Sequence, residues 1–473
     1  MNNRWIKSYW IKSVVVITLI ALSGQMGATA FAASPTPASS TTPNKSATVS
    51  PAANTPTPNK SPTISPTTTS VAVNPSVGSA LSIDAKSAIL VDAQTGQVLF
   101  DQNADEALPP ASMVKLMTEY LILESISNKN LKWDETITIS EFSSAISTNK
   151  TLSGIPKAKG DQYTVKDLFY AVTIYSDNGA AIALAERIAG TEEDFTKKMN
   201  ETAVKLGLSK GARFINSSGL DRVDLGKYAP ASIQGESTFS ARDGAMIAYH
   251  LLKLYPEILE YTKIPSKPFR PTDKNPMINY NWMLEGNANN INFRKFVYPG
   301  MDGLKTGHTD NAGYCFTGTA SKDGTRFISV VMGAKTRESS FNETRRIMDY
   351  GFNNFERREV VAAKTDVNEL PTVTVSKALN KTVPVVTENA ITFMVKKGTP
   401  ADAFKREAIA IEESKLVAPL KQGDVVGALT VSYNNTVQKV NLVAKEDVAK
   451  ASWIRLFFRS IKNFFAGIFG KLF

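Results

Sequence analysis

The chain has 473 residues, a formal net charge of +10, one cysteine and two histidines. A single cysteine excludes an intrachain disulfide, and two histidines without an H-E-x-x-H motif argue against a zinc site, so we expect no metal and no cofactor. The positive excess lies at the ends, with three bases in residues 1–33, two in 34–83 and four in 451–473, and no acid in any of these segments. We therefore expect no nucleic-acid-binding surface.

The N-terminus predicts export. Basic residues at positions 4, 7 and 12 precede an apolar run over residues 14–22, and Ala30-Phe31-Ala32 provides a small-x-small cleavage site. We expect a signal peptide over residues 1–33, and an uncleaved membrane anchor is the alternative.

Residues 34–78 have the composition of a linker. Pro, Thr, Ser and Asn dominate, acidic and aromatic residues are absent, and the decapeptide 42–51 recurs imperfectly as 57–66. Such a segment cannot bury a core, so we expect an extended, disordered linker outside the membrane.

Ser112 and Lys115 have the spacing of a nucleophile and its base. Pro109-Pro110 interrupts the preceding segment, and the composition of residues 112–126 predicts a helix with Ser112 in its first turn. Residues three apart share a helix face, which brings Lys115 beside the hydroxyl. Burial and neighbouring positive charge can lower the pKa of a lysine, and the free amine can then deprotonate the serine.

The same S-x-x-K pattern recurs at Ser147-Thr148-Asn149-Lys150. Residues 143–150 are polar and show no helical periodicity, so nothing there is expected to hold a lysine beside the serine. We therefore expect Ser112, and not Ser147, to be the nucleophile.

A second polar motif, Ser176-Asp177-Asn178, lies between two helical patterns. An apolar helical run over residues 165–175 precedes it, and a second predicted helix over residues 180–189 follows it. A polar corner between helices can direct a hydroxyl and a carboxamide into a cleft. The same residue types are preferred helix caps, so the tripeptide alone leaves both interpretations open.

A third motif, Lys305-Thr306-Gly307, opens a predicted hairpin with strands over residues 304–309 and 314–320, and a further strand follows over residues 326–333. A lysine beside a glycine on a strand can attract a carboxylate and leave bare backbone for a substrate to pair as an additional strand. Alone, the tripeptide favours an ordinary strand end with a solvated lysine. With the other two motifs it favours a substrate site.

The order S-x-x-K, S-x-N, K-T-G resembles the D-alanyl-D-alanine carboxypeptidases, which are low-molecular-mass penicillin-binding proteins of peptidase family S11. The resemblance covers roughly residues 79–355 and extends to sequence blocks at residues 87–96, 108–112, 216–220, 240–243 and 302–309.

The resemblance implies a fold and an activity. The fold is an α/β sandwich of the serine β-lactamase and DD-peptidase type, with an antiparallel sheet and helices. The activity is removal of the terminal D-alanine from peptidoglycan stem pentapeptides in cell wall biogenesis. Ser112 is acylated by the penultimate D-alanine carbonyl, water then frees the truncated peptide, and penicillin acylates the same serine.

The resemblance also implies roles for the motif residues. Lys115 is the proton acceptor, and Ser176 relays a proton to the leaving amine. The backbone N–H groups of Ser112 and His308 form the oxyanion hole. Substrate-binding roles fall to Asn178, Lys305, Thr306, Gly307, His308 and Thr309.

One departure and two rival functions remain. The family often has an aspartate after S-x-N, whereas Gly179 follows here and Asp177 is the middle residue, so the electrostatics of the cleft should differ. A class A β-lactamase shares the motifs but needs a Glu-x-x-Leu-Asn between Asn178 and Lys305, which the sequence lacks. A catalytically silent wall-binding protein has no reason to retain the motifs.

The remaining histidine and the cysteine suggest no chemistry. A Ser-His-Asp enzyme needs a histidine base, but His250 falls in a helical segment, where packing or surface exposure is expected. Cys315 lies on an apolar strand and is expected to be a small buried residue.

The sequence changes character after the motifs. Residues 356–364 are charged and predict a helix. Short β-branched runs follow at residues 372–375, 382–386, 391–395, 427–431 and 437–443. We expect a catalytic domain over residues 79–362 and a small all-β domain over residues 363–446, which by resemblance is a spacer or docking module.

The final segment, residues 451–473, predicts an amphipathic helix. Aromatic and aliphatic residues recur at helical spacing from Trp453 onward, and Arg455, Arg459 and Lys462 lie on the other face. Because cations interrupt it, it should lie in the headgroup plane at the outer face of the cytoplasmic membrane, facing the cell wall. Packing against the chain's own domain is the alternative.

Overall fold

The computed structural model describes residues 81–434 and 436–469 of the chain. The signal peptide expected over residues 1–33 and the linker expected over residues 34–78 lie outside the described residues.

The elements are numbered in chain order. The strands are β1 (Ser87–Asp92), β2 (Val98–Gln102), β3 (Thr136–Thr138), β4 (Gln162–Thr164), β5 (Ser266–Lys267), β6 (Met277–Ile278), β7 (Met301–Thr309), β8 (Gly313–Lys322), β9 (Thr325–Ala334), β10 (Phe355–Val361), β11 (Thr372–Thr374), β12 (Thr382–Thr387), β13 (Ile391–Lys396), β14 (Lys405–Ala410), β15 (Val425–Tyr433) and β16 (Thr436–Ala444). The α-helices are α1 (Lys115–Ser127), α2 (Glu141–Thr148), α3 (Val165–Tyr175), α4 (Asn178–Ala189), α5 (Glu192–Lys205), α6 (Arg222–Leu225), α7 (Ala241–Leu254), α8 (Ile258–Thr262), α9 (Arg337–Asn354) and α10 (Trp453–Phe469).

An antiparallel sheet organises the N-terminal domain, the part of the chain from β1 to α9. Its strand order is β2-β1-β9-β8-β7, so the two chain ends of the domain meet in the middle of the sheet. The central strands bury both faces, since α9 packs on one side with Phe341, Ile347 and Met348, and α7 packs on the other. The expected sandwich of helices around an antiparallel sheet is confirmed, and β7 forms one edge of the sheet.

The helix that carries the first motif is buried on all sides. A short 3-10 helix over Ala111–Val114 leads directly into α1, so the predicted helix from Ser112 is present with a 3-10 first turn. A helix that is apolar all round belongs in the interior of a domain. Two charged residues of α1, Lys115 and Glu119, share that interior.

Two local predictions are wrong. Residues 143–148, expected to lack helical structure, belong to α2, which Ser140 caps by accepting a hydrogen bond from the Ser143 amide. Residues 356–361, expected to be helical, form β10, which pairs antiparallel with β13. Tertiary contacts explain the second error: pairing to an apolar strand and an ion pair from Arg357 to buried Asp92 of β1 outweigh the local helical preference.

The C-terminal domain, β10 to β16, is all β, as expected. Its main sheet has the order β11-β12-β16-β15-β14, and β10 with β13 forms a two-stranded sheet beside it. Phe393, Val431 and Leu442 lie in its apolar core. The edge strand β14 was not predicted, since most of its residues are exposed and it has little apolar alternation.

Helix α10 follows the C-terminal domain and leaves apolar side chains exposed. Trp453 is 77% exposed and Phe458 is 64% exposed. Arg459 donates hydrogen bonds to the carbonyls of Ala378 and Leu379, which holds that side of the helix near the domain. Within the described ranges, no helix combines the length and apolar character that crossing a membrane requires.

Candidate active site

Ser112 lies in a tightly enclosed 3-10 turn. A Cβ atom on Gly307 of β7 would come within 2.6 Å of the Pro110 carbonyl and 3.2 Å of the Ser112 amide nitrogen. A Cβ on Gly219 would come within 2.1 Å of the Ala111 carbonyl. Both segments can therefore approach the nucleophile only because they have glycine at these positions.

Lys115 is wholly buried beside the nucleophile. Its Nζ is 3.1 Å from the Ser112 Oγ, 2.6 Å from the Asn178 Oδ1 and 2.5 Å from the Ser218 carbonyl oxygen. Burial holds the pKa of Lys115 well below its usual value, and the positive charge of Lys305 lowers it further. The structure therefore favours the neutral amine, which can accept a proton from Ser112.

Lys305 and Ser176 form the second half of the site. Ser176 ends α3 with a left-handed φ of 57°, and its Oγ accepts a hydrogen bond of 2.9 Å from the Lys305 Nζ. Lys305 also donates to the Thr306 carbonyl at 2.9 Å. Burial lowers the pKa of Lys305 to about 8, and the negative charge of Glu119 opposes this shift. At neutral pH Lys305 therefore remains mostly charged.

The S-D-N corner is both a cap and part of the cleft. Asp177 accepts a hydrogen bond of 2.8 Å from the Ala180 amide and caps α4. Its other oxygen accepts one from the Ile155 amide and forms a wholly buried ion pair of 2.5 Å with Lys157. Both interpretations of this motif therefore apply, since Ser176 and Asn178 contact the lysines while Asp177 holds the loop over residues 149–157, here called the cleft loop.

The glycine that follows the motif has a steric explanation. A Cβ on Gly179 would lie 2.6 Å from the Ser147 Cβ and 2.7 Å from the Ser143 carbonyl oxygen. The packing of α2 against α4 thus leaves no room for the aspartate often found there in the family. Ser147 itself is buried, and its hydroxyl donates to backbone carbonyls of Ser144 and Lys157, so it is not placed as a nucleophile.

A cleft of about 400 Å³ opens above Ser112. It is lined by Ser112, Lys150, Thr151, Leu152, Ser153, Tyr175, Ser176, Tyr280, Thr306, Gly307, His308 and Arg337. Arg337 begins α9, and its guanidinium lies over the Tyr280 ring at 5.1 Å. Its charge also helps burial to lower the pKa of His308. The cleft is therefore positively charged on the β7 side.

The structure brings together eight of the nine expected site residues. Thr309 is the exception: its Oγ1 accepts a hydrogen bond from the Ala312 amide in the β7–β8 turn, and it does not line the cleft. His250 is half-buried on α7 and Cys315 is buried on β8. Within residues 81–434 and 436–469, no group of three or more His, Cys, Asp or Glu side chains could hold a metal.

Sequence reasoning missed several residues of the site. The Ser218 carbonyl fixes Lys115, and Asn216 shapes that loop by accepting hydrogen bonds from the Ser218, Gly219 and Leu220 amides. A backbone acceptor has no sequence signal of its own. Arg337 and Tyr280 reach the cleft from segments far from the motifs in the chain.

The chain is similar to known proteins along most of its length. A family model described as D-alanyl-D-alanine carboxypeptidase matches residues 72–336, and one described as the C-terminal domain of penicillin-binding protein 5 matches residues 355–450. The chain is similar to D-alanyl-D-alanine carboxypeptidase DacF of Bacillus subtilis, with 34% identity over 81% of this chain and 90% of the relative. It is also similar to DacC of Escherichia coli, with 32% identity over 79% and 86% of the two chains.

Solved structures show the same likeness. A peptidoglycan synthesis regulatory factor (PBP3) from Streptococcus pneumoniae aligns with a TM-score of 0.67 and 33% identity, over 78% of this chain and 100% of that one. Penicillin-binding protein 5 from Haemophilus influenzae aligns with a TM-score of 0.62 and 26% identity, over 80% and 100% of the two chains.

Proposed function

This chain belongs to the D-alanyl-D-alanine carboxypeptidase family, and we propose that its cleft removes the terminal D-alanine from peptidoglycan stem peptides with Ser112 as the nucleophile. It is a serine-type carboxypeptidase and a penicillin-binding protein of cell wall metabolism. The observation that carries the residue assignment is the buried Lys115 amine 3.1 Å from the Ser112 hydroxyl.

The hydrogen bonds of Lys115 suit a general base. A neutral amine has two N–H donors and one lone pair. The carbonyl oxygens of Asn178 and Ser218, at 2.6 and 2.5 Å, take the two donors. The lone pair is then left for the Ser112 proton, which moves to Lys115 as the serine oxygen attacks the penultimate D-alanine carbonyl.

The substrate carboxylate belongs on the other side of the cleft. Lys305 has two of its three N–H groups on Ser176 and Thr306, so one remains for a carboxylate. The Thr306 hydroxyl and Arg337 add a donor and a positive charge on the same side. Ser176 then gives its proton to the leaving nitrogen as the C–N bond breaks.

Backbone amides would stabilise the tetrahedral intermediate. Gly307 brings β7 against the Ser112 turn, so the N–H groups of Ser112 and His308 lie on the two segments that meet there. Donors of this kind act on the charge that develops in the transition state, and removing one typically slows an enzyme by about 10²–10³-fold.

The test is D-alanine release from a pentapeptide ending in D-Ala-D-Ala. The purified protein should release D-alanine, and Ser112→Ala should lower kcat by ~10⁴-fold or more. Ser147→Ala is the matched control, because it removes the serine of the second S-x-x-K without touching the Lys115 amine, and it should retain release. No release by the wild type would refute the activity, and rapid turnover of penicillin would favour a β-lactamase.

We also propose that α10 lies on the cytoplasmic membrane. It would hold the N-terminal domain, which lies within residues 79–362, near the outer face of that membrane. The C-terminal domain, β10 to β16, separates the two. Exposed Phe457 and Phe458 support this proposal, together with the absence of acidic residues from the helix. In co-sedimentation with vesicles containing anionic lipid, Phe457→Ser with Phe458→Ser should leave the protein in the supernatant. The exposed-residue control Val204→Ser should still sediment, and equal sedimentation of both variants would contradict the proposal.

A further inference from the structure

Glu119 is the most unusual charged side chain near the site. It lies on α1 one turn beyond Lys115 and is wholly buried. Neither carboxylate oxygen has a hydrogen-bond partner within the part of the chain that the structure describes. An unsatisfied buried group of this kind is costly, and charged groups are the costliest, so its presence calls for a functional explanation.

Glu119 interacts electrostatically with both lysines of the site. Residues four apart share a helix face, which places its carboxyl on the Lys115 side of α1. Strand β7, which carries Lys305, packs against the same helix. Burial raises the pKa of Glu119 to about 7, and the positive charges of Lys305 and Lys115 oppose that rise. Both lysines therefore share this one carboxyl.

We propose that Glu119 is a positioning residue, the buried counter-charge that allows one proton to be held by either Lys305 or Lys115. One carboxylate can balance one ammonium group. Before reaction, Lys305 is charged because it faces the substrate carboxylate, and Lys115 is neutral because it is the base. Glu119 makes this division possible between two buried lysines.

The reaction keeps this balance. As Ser112 Oγ bonds to the carbonyl carbon, its proton moves to Lys115. As the C–N bond breaks, Ser176 gives its proton to the leaving nitrogen and takes one from Lys305, 2.9 Å away. Lys115 gains a proton and Lys305 loses one, so the summed charge of the two lysines and Glu119 is constant. This inference rests on the roles proposed above for the two lysines.

Other charges act on the lysines but not on Glu119. Asp177 and Glu192 favour the charged form of Lys115, and Arg337 disfavours that of Lys305. Helices α3, α4, α5 and α7 also pack against α1. Among the described residues, only Lys305 and Lys115 act as charges on the Glu119 carboxyl. Glu119 is therefore the one carboxyl coupled to both lysines.

The test is the pH profile of Glu119→Gln in the full-length protein. Two rates are measured: kcat/KM for D-alanine release and the second-order rate of acylation by penicillin. Removing the counter-charge lowers the pKa of both lysines, so the acid and alkaline limbs should both move to lower pH by ~1–2 units. A purely structural role would lower the whole profile without moving its limbs.

Glu192→Gln is the matched control. Glu192 is also buried with a pKa raised to about 7, but it acts on Lys115 and not on Lys305, so only the acid limb should move. If the amide introduced by Glu119→Gln prevents folding, Glu119→Leu takes its place. It should move the acid and alkaline limbs in the same way. Limbs that coincide with those of the wild type in a folded variant would overturn the proposal. If the wild type released no D-alanine, the proposed function would fail, and penicillin acylation would still test Glu119.

Discussion

The N-terminal and C-terminal domains differ in where their charged side chains lie. The N-terminal domain buries ionisable side chains, among them Lys115, Glu119, Lys157, Asp177, Glu192 and Lys305. In the described residues of the C-terminal domain, the one buried polar side chain is the neutral Thr387. Apart from the pair that Arg357 of β10 makes with Asp92 of β1, its ion pairs, such as Lys421 with Asp447, are exposed or partly exposed.

This difference separates the residues that stabilise the fold from the residues that take part in the reaction. Burying a charge costs more than an apolar replacement, so a group of buried charges is expected where chemistry needs shifted pKa values. The C-terminal domain has an apolar core of β-branched residues and aromatic rings and shows no such group. The comparison predicts that removing a buried charge from the N-terminal domain lowers stability and activity, and that removing an exposed charge from the C-terminal domain changes neither.

Asp177→Ala should have the largest effect. It leaves the Lys157 ammonium buried without its partner, which destabilises a protein by ~3–5 kcal/mol, and it releases the cleft loop, so D-alanine release should also be lost. The matched change Asp447→Ala breaks an exposed pair and should leave stability nearly unchanged. Urea unfolding measures both, and equal costs for the two variants would remove the contrast between the domains.

Phe393→Ala should separate stability from activity. Phe393 is wholly buried in the C-terminal core and packs against Phe404 and Tyr433. Its truncation should lower the free energy of unfolding of that domain by ~3 kcal/mol, while kcat/KM stays at the wild-type value. Phe169→Ala, on the buried face of α3, should lower both, because α3 positions Ser176. Loss of activity in the Phe393 variant would mean that the C-terminal domain shapes the cleft.

Much of the fold and site could be predicted from local pattern. Helix α3 covers the residues that its periodicity predicts, and the hairpin of β7 and β8 follows its turn residues. The three motifs converge because each lies at the end of a helix or on a strand edge, where the backbone leaves side chains free.

The rest depends on contacts between distant parts of the chain. The helical pattern at residues 356–361 gives way to pairing with β13 and to Asp92, neither of which is near in sequence. From the sequence alone Glu119 is an ordinary polar residue of a predicted helix. Only the packing of β7 against α1 makes it part of the site. Gly179 replaces an aspartate that is frequent in the family, and only the packing of α2 against α4 explains why.

The smallest effect is a pH dependence in which activity and stability move in opposite directions. Between pH 8 and 9 the Lys305 ammonium, with a pKa of about 8, loses its proton, so kcat/KM for peptides with a free terminal carboxylate should fall ~fivefold in this interval, as expected for one titrating group. A peptide with an amidated C-terminus should be cleaved slowly and show a smaller decline, because only the proton transfer from Lys305 to Ser176 is then lost.

Stability should rise in the same window. Unfolded Lys305 keeps its proton up to its usual pKa of 10.5, so the unfolded chain binds more protons than the folded one between pH 8 and 9. The N-terminal domain should gain up to ~1.4 kcal/mol per pH unit from this group. The C-terminal domain should not change, because the pKa of its exposed Lys421 is raised and that group stays charged. Thermal unfolding followed separately for the two domains measures this, and parallel loss of activity and stability would show that Lys305 does not carry the alkaline limb.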